Sequence, residues 1–197
     1  MATQSMSHEI SLTNHFLIAM PTLLDPNFQQ TVTYICEHNE DGTMGIIINR
    51  PTNITLADLC DQLDIAIDDP ELADYPVYHG GPVETERGFI LHSPVGNWDS
   101  TLAITKDIGL TMSVDIIQAI AGDLDIDKPA PENFIITLGY AGWGEDQIED
   151  EILENSWLSV PANSEILFHT PVEQRWAAAV EKMGINLQQL STDIGHA

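Results

Sequence analysis

Residues 133–154 read NFIITLGYAGWGEDQIEDEILE, and how this run divides decides the fold. Phe134 to Leu138 are apolar or β-branched without a break, as in a strand covered on both faces. Gly139, Gly142 and Gly144 then interrupt with residues that tolerate positive φ and close backbone approach, so the run predicts a glycine-rich turn over 139–144. From about Glu145 the period becomes helical. Ile148 and Ile152 share one face, and Glu145, Asp146, Glu149, Asp150 and Glu154 fill the other. Trp143 in the turn and Trp157 after the helix are placed to close over that apolar stripe.

Working outward, the flanking segments supply mostly strands. Phe16 to Met20 is a short apolar strand ended by Pro21. Thr31 to His38 alternates, with Val32, Tyr34 and Cys36 on one face. Asn39-Glu40-Asp41-Gly42 is a turn, and Met44 to Ile48 returns as a hairpin partner that Pro51 is expected to stop. Thr55 caps a helix carrying Leu56, Leu59, Cys60 and Leu63 on one face. Residues 65–75 read as acidic and irregular. Val77 to His79 and Gly88 to His92 are further strands, and Thr101 to Thr105 is expected to pair with the second. Ser113 caps a helix that turns Ile116, Ile117 and Ile120 inward and stops at Gly122. Trp157 to Val160 and Glu165 to Phe168 read as two more strands. Thr170-Pro171-Val172-Glu173 is a capping box opening a helix that buries Trp176, Val180 and Met183. Helices do not follow each strand in turn, so the pattern predicts an α+β domain with a mixed, largely antiparallel sheet.

The 197 residues, 43% of them hydrophobic, suit one domain spanning 14–197 after a flexible start over 1–13. The start lacks the basic and apolar regions of a secretory signal, and no apolar run is long enough for a bilayer. A cytoplasmic protein with no membrane contact is expected. The chain has 6 Lys and Arg against 31 Asp and Glu, a net charge of −25. That balance repels phosphate backbones, so direct nucleic-acid binding is excluded. It leaves solvation as the main role of the charge, with attraction to basic partners or cations as the functional alternative. Cys36 and Cys60 lie outside any C-x-x-C and read as buried thiols.

Chemistry-bearing motifs are sparse. His79-Gly80-Gly81-Pro82 follows a strand, as oxyanion turns do in esterases. No G-x-S-x-G elbow accompanies it, which leaves a tight turn, or N–H groups able to hold a small anion. Arg50 and Arg87, scarce cations at loop edges, would strengthen such an anion spot by bidentate contacts. Their other reading is pairing with nearby carboxylates. His79, His92 and His169 each end a strand but lack metal-ligand spacing, so no metal site and no cofactor are expected. Cys36 and His38 share a strand face, where side-by-side packing is the ordinary outcome and a thiolate pair the reactive one. The glycine run after Leu138 is neither a dinucleotide fingerprint nor a phosphate loop. Tyr140 and Trp143, if exposed, would form an aromatic edge for a protein partner.

Four ungapped motifs in fixed order complete the reading: Pro21-Thr22-Leu23-Leu24-Asp25-Pro26-Asn27-Phe28, Gly45-Ile46-Ile47-Ile48-Asn49-Arg50-Pro51, His79-Gly80-Gly81-Pro82-Val83, and Gly139-Tyr140-Ala141-Gly142-Trp143-Gly144 with Gln147 and Glu151. Together they closely resemble the YqgE/AlgH family, over about Asn14 to Gly184. The resemblance implies a branched sheet curled into a pseudo-barrel and flanked by helices. The family is bacterial, and some members carry the label of transcriptional regulator. It has no agreed catalytic or cofactor residues, so the resemblance transfers none. The expected ligand or partner surface is Asp25, Asn49, Arg50, His79, Gly80, Gly81, Arg87, Tyr140, Trp143 and Gln147. The function expected is a non-enzymatic binding module for a protein partner or a small anionic ligand. The alternatives are a transcriptional regulator acting through a protein partner and a hydrolase-like enzyme.

Overall fold

The structure is a computed structural model that describes residues 11–122 and 128–185. Most of the expected flexible start, residues 1–10, lies outside the described residues, while Leu12 is buried. Among the described residues, ten strands form one sheet. In chain order they are β1 (His15–Ala19), β2 (Val32–Asn39), β3 (Gly42–Ile47), β4 (Pro51–Thr55), β5 (Pro76–His79), β6 (Val83–Ser93), β7 (Thr101–Ala103), β8 (Gly109–Thr111), β9 (Asn133–Trp143) and β10 (Trp157–Pro161). The main path runs β10-β1-β2-β3-β9-β6-β8-β7, and a side branch joins β4 to β5 and β5 to β9. Every pairing is antiparallel except β5 with β9. The sheet curls into a half-barrel, so the chain is a mixed α+β domain.

The branch point lies inside the run that opened the sequence reading. The expected turn at 139–144 is not a turn, because β9 continues through it to Trp143. On one side β9 pairs with β6 over 133–140. On the other it pairs with β5 at Thr137 and Leu138, then with β3 from Ala141 to Trp143. Gly139, at φ +75°, is the swivel between these partners. A side chain there is strained whatever the space. The opposing backbone comes as close as it can: a Cβ on Gly80 would meet the Gly139 carbonyl oxygen at 2.2 Å, and one on Gly81 would meet the Tyr140 carbonyl carbon at 2.1 Å. The His-Gly-Gly and Gly-Tyr-Ala-Gly motifs are thus the two halves of one interlock. Opposite Gly139 alone, β6 carries Glu84, Thr85, Glu86 and Arg87 as a bulge, with Val83 paired to Tyr140 and Gly88 to Leu138.

The true turn comes later, at Gly144 to Asp146, and leads into α4 (Gln147–Leu153). The other helices are α1 (Leu56–Gln62), α2 (Pro70–Ala73), α3 (Asp115–Ala121) and α5 (Arg175–Lys182). Thr55 caps α1 with a reciprocal capping box through Asp58, as its sequence predicts. The β2–β3 hairpin ends before Pro51, with β3 closing at Ile47, and Pro51 itself opens the outer strand β4, where a missing N–H costs no ladder bond. Five expectations are corrected. Residues 65–75 include α2, capped by the Asp69 carboxylate. Thr101 to Ala103 pairs with β8, which itself lies between β7 and β6. Ser113 donates to the Asp99 carbonyl and to Asp115 instead of capping α3. Residues 165–169 form a π-helical turn, Glu165–His169; the adjacent Ile166 and Leu167 are both buried on one core, which a strand's alternation would forbid. The Thr170 hydroxyl donates back to Glu165, a 3₁₀ turn (Val172–Gln174) follows, and α5 starts at Arg175.

Strands buried on both faces share their residues between cores. In β1, Phe16 and Ile18 face one core, while Leu17 and Ala19 face another. The half-barrel interior holds Phe16, Tyr34, Ile46, Phe89, Leu91 and Ile135, closed by Val180 of α5. Helices α1 and α3 cover Ile90 and Ile136 on the opposite face. Helix α4 sets Ile148 against Ala141, Trp143 and Trp157. Strand β9 feeds all three cores, which makes it the organising element.

Candidate functional site

The expected surface residues do not meet in one cleft. Asn49 and Arg50 are engaged in holding the 25–30 loop, and His79 lies beside Arg50, its backbone N–H donating to the Arg50 carbonyl (2.8 Å). The Asn49 side-chain oxygen accepts from the Val32 N–H (2.8 Å), and its amide donates to the Gln30 carbonyl (2.9 Å). The Arg50 guanidinium donates to the carbonyls of Pro26 (2.8 Å), Asn27 (2.8 Å) and Gln29 (2.9 Å). Burial lowers its pKa, and the charge of Asp25 pulls the other way. Asp25 itself is exposed and accepts from the Asn27 N–H (2.8 Å), an Asx turn that shapes the same loop. His79 is half-buried; burial and then the Arg50 charge lower its pKa. The Gly80 amide of the expected anion turn is not free either. The Gly80 N–H donates to the Leu138 carbonyl (2.8 Å), and both Gly80 and Gly81 are buried in the interlock.

Gln147 and Glu151 also serve the fold. Gln147 accepts from the Gly144 N–H (3.0 Å) and donates to Glu151 (2.9 Å). One Glu151 oxygen then accepts from the indoles of Trp143 (3.1 Å) and Trp157 (2.8 Å). Trp143 is only 5% exposed, so it is not an open aromatic edge. Its ring stacks on Phe28 and meets Trp157 edge-on. Cys36 and His38 do not form a reactive pair. Cys36 is buried in the half-barrel core, and burial drives its thiol pKa up. His38 Nδ1 accepts from the Leu12 N–H (2.8 Å), while its Nε2 meets Glu149 (2.6 Å). His92 is fully buried between Pro94 and Thr111. Among the described residues, no three His, Cys, Asp or Glu side chains cluster so as to hold a metal ion. Among them, too, no helix is long and apolar enough to cross a membrane.

Three expected residues, Arg87, Tyr140 and Trp143, do share a cleft. It is open, about 530 Å³, and lies between the β2–β3 hairpin and β6, with the end of β9 along its floor. Tyr140 packs edge-on against Phe89 at 5.5 Å between centroids, and Met44 and Met112 add thioethers beside them. Glu37, Asp41 and Glu84 line it as carboxylates, and among the described residues Arg87 is its only cation. Arg87 is already paired with Glu84 (3.0 Å) and lies over the Phe89 ring at 5.6 Å. Sequence reasoning missed the acidic and thioether members. They come from two hairpins and a bulge far apart in the chain, and no local pattern links them.

An AlgH-like family model matches residues 16–188. The UPF0301 protein of Dechloromonas aromatica is 51% identical over 188 residues, covering 95% of this chain and 98% of that protein. The UPF0301 protein of Thioalkalivibrio sulfidiphilus is 49% identical over 192 residues, covering 98% and 100%. The solution structure of the AlgH protein from Pseudomonas aeruginosa superposes with a TM-score of 0.76 at 43% identity, each chain covered completely.

Proposed function

The chain belongs to the AlgH-like family, and from that premise we propose that it is a non-enzymatic binding module whose cleft takes a basic segment of a protein partner. One observation carries the reading: three carboxylates face the cleft against a single arginine that is already paired. A small anion would have to displace Glu84 from Arg87 and then sit beside Glu37 and Asp41. A lysine or arginine side chain meets the opposite situation. Its charge is attracted, and its methylene stem can lie on Tyr140, Met44 and Met112. The partner would come to the cleft with its on-rate raised by a net charge of −25. A regulatory role exercised through a protein partner would use the same surface. The test is an NMR titration with a Lys/Arg-containing peptide and with its Glu-substituted counterpart. The basic peptide is expected to shift Met44, Met112 and Tyr140, and the doubly neutralised Glu37→Gln/Asp41→Asn protein to bind it about fivefold more weakly or worse. Shifts around Arg87 with the acidic peptide or inorganic phosphate, and none with the basic one, would reverse the proposal in favour of an anion.

A further inference from the structure

Beside the acidic cleft lies a second hollow of different chemistry. Its volume is about 170 Å³ and its walls are largely apolar. It opens between α1 and α3 over β6, and Met112 lines both it and the cleft. The β6 bulge divides its residues between the two: Glu84 and Arg87 line the cleft, while Glu86 and the adjoining Gly88 line the hollow. The floor is Ile90 and Leu138, and the rim is Leu63 and Val114. Leu63 is 42% exposed and Val114 45%, so half of the four large aliphatics standing strongly in solvent among the described residues border this one opening. Gly88 keeps it open, since a Cβ there would meet nothing within 4 Å. An apolar cavity of about 150 Å³ takes a benzene-sized molecule, so this volume suits one aliphatic or single-ring side chain and no larger ligand.

We infer that the hollow is an anchor pocket for one aliphatic side chain of the same basic segment that lies in the cleft. Resting on the reading of the cleft given above, the inference adds a specificity element to it. Charge complementarity selects the occupant. Glu86 stands in the lining of the apolar pocket, and Glu84 stands on the cleft side of the same bulge. A segment that buries a leucine here and passes lysines along the cleft satisfies both; a purely apolar segment fills the hollow but leaves Glu37 and Asp41 of the cleft without a counter-charge, and an acidic one is repelled by them.

The probes are synthetic peptides in a Gly-Ser background. Each carries a Lys-Lys pair and one leucine at increasing separation, and each has a sibling with serine for leucine. At the matching separation the leucine peptide is expected to bind about tenfold tighter than its sibling or better. In Gly88→Val, which fills the hollow, that advantage is expected to vanish while affinity for the serine sibling stays as it was. Leu63→Ser, at the exposed rim, is the second variant, expected to shrink the advantage without filling anything. Leucine and serine peptides of equal affinity at every separation would overturn the anchor pocket and leave the cleft standing. If no lysine peptide binds, the cleft reading and the basic segment fall together. N-acetyl-leucinamide against N-acetyl-serinamide then judges the hollow alone: shifts at Gly88, Ile90 and Val114 with the leucine compound only would keep it as an aliphatic pocket, and their absence would remove it too.

Discussion

Arg50 illustrates how a scarce cation is used in an anionic protein. Its fork holds three carbonyls of the 25–30 loop, a geometry that a single ammonium cannot reproduce. Arg50→Lys is expected to cost about 1–2 kcal/mol, read from urea unfolding, the low end reflecting partial exposure. Phosphate is expected to leave the melting temperature of the unaltered protein where it is, since the guanidinium is already occupied. His92 makes the pH-dependent counterpart. Its Nδ1–H donates to the Pro94 carbonyl (3.0 Å), and its bare Nε2 accepts from Thr111 (2.8 Å). Burial lowers its pKa against the pull of Pro94, and burial and Arg50 lower that of His79. With folded values below the ordinary histidine value of about 6.5, the unfolded chain binds more protons in the window beneath it. The stability from keeping both rings neutral is therefore complete above about pH 6.5 and is lost as the pH falls through that window. Unfolding free energies measured between pH 7.5 and about 5 should decline, and His92→Gln should flatten part of the slope.

At the scale of elements, β9 and what grips it account for most of the architecture. Gly80→Ala would drive a methyl group into the backbone of Gly139. The expected loss is about 3 kcal/mol or more, a fall in melting temperature of about 6–12 °C. Gly88→Ala, one paired position past the bulge, adds a methyl into open space and should be neutral or stabilising by up to about 1 kcal/mol. A matched pair of thermal melts distinguishes interlock from mere glycine content. Helix α4 is held to β9 and β10 by Glu151, whose one oxygen serves two buried indoles. Glu151→Leu strands both N–H groups at about 1–3 kcal/mol each, whereas Glu151→Gln keeps an acceptor and should cost clearly less. Tryptophan fluorescence during urea unfolding follows both variants directly.

For the molecule as a whole, charge sets the conditions of stability and encounter. A net charge of −25 on 197 residues repels itself in the compact state. Raising salt from about 0.01 M to about 0.15 M shortens the screening length from about 30 Å to about 8 Å. The melting temperature should therefore rise with salt, while the association rate of a basic peptide falls. A peptide whose binding is indifferent to salt would not be using the acidic cleft.

The linear chain by itself determined the α+β class, the β2–β3 hairpin, the Thr55 cap and the helical face of Ile148, because each is written in neighbouring residues through periodicity, turn chemistry or capping. It also marked the glycine motifs as special. Only the tertiary structure decided what they are for. Gly139 is a swivel inside a strand because β5 and β3 both arrive at β9, and residues 133–154 do not encode the arrival of those strands. The same holds for the cleft and the hollow. Glu37, Met112 and the bulged strand that carries both Glu84 and Gly88 are far apart in the chain, and only the closing of a branched sheet brings their charges and surfaces to one place.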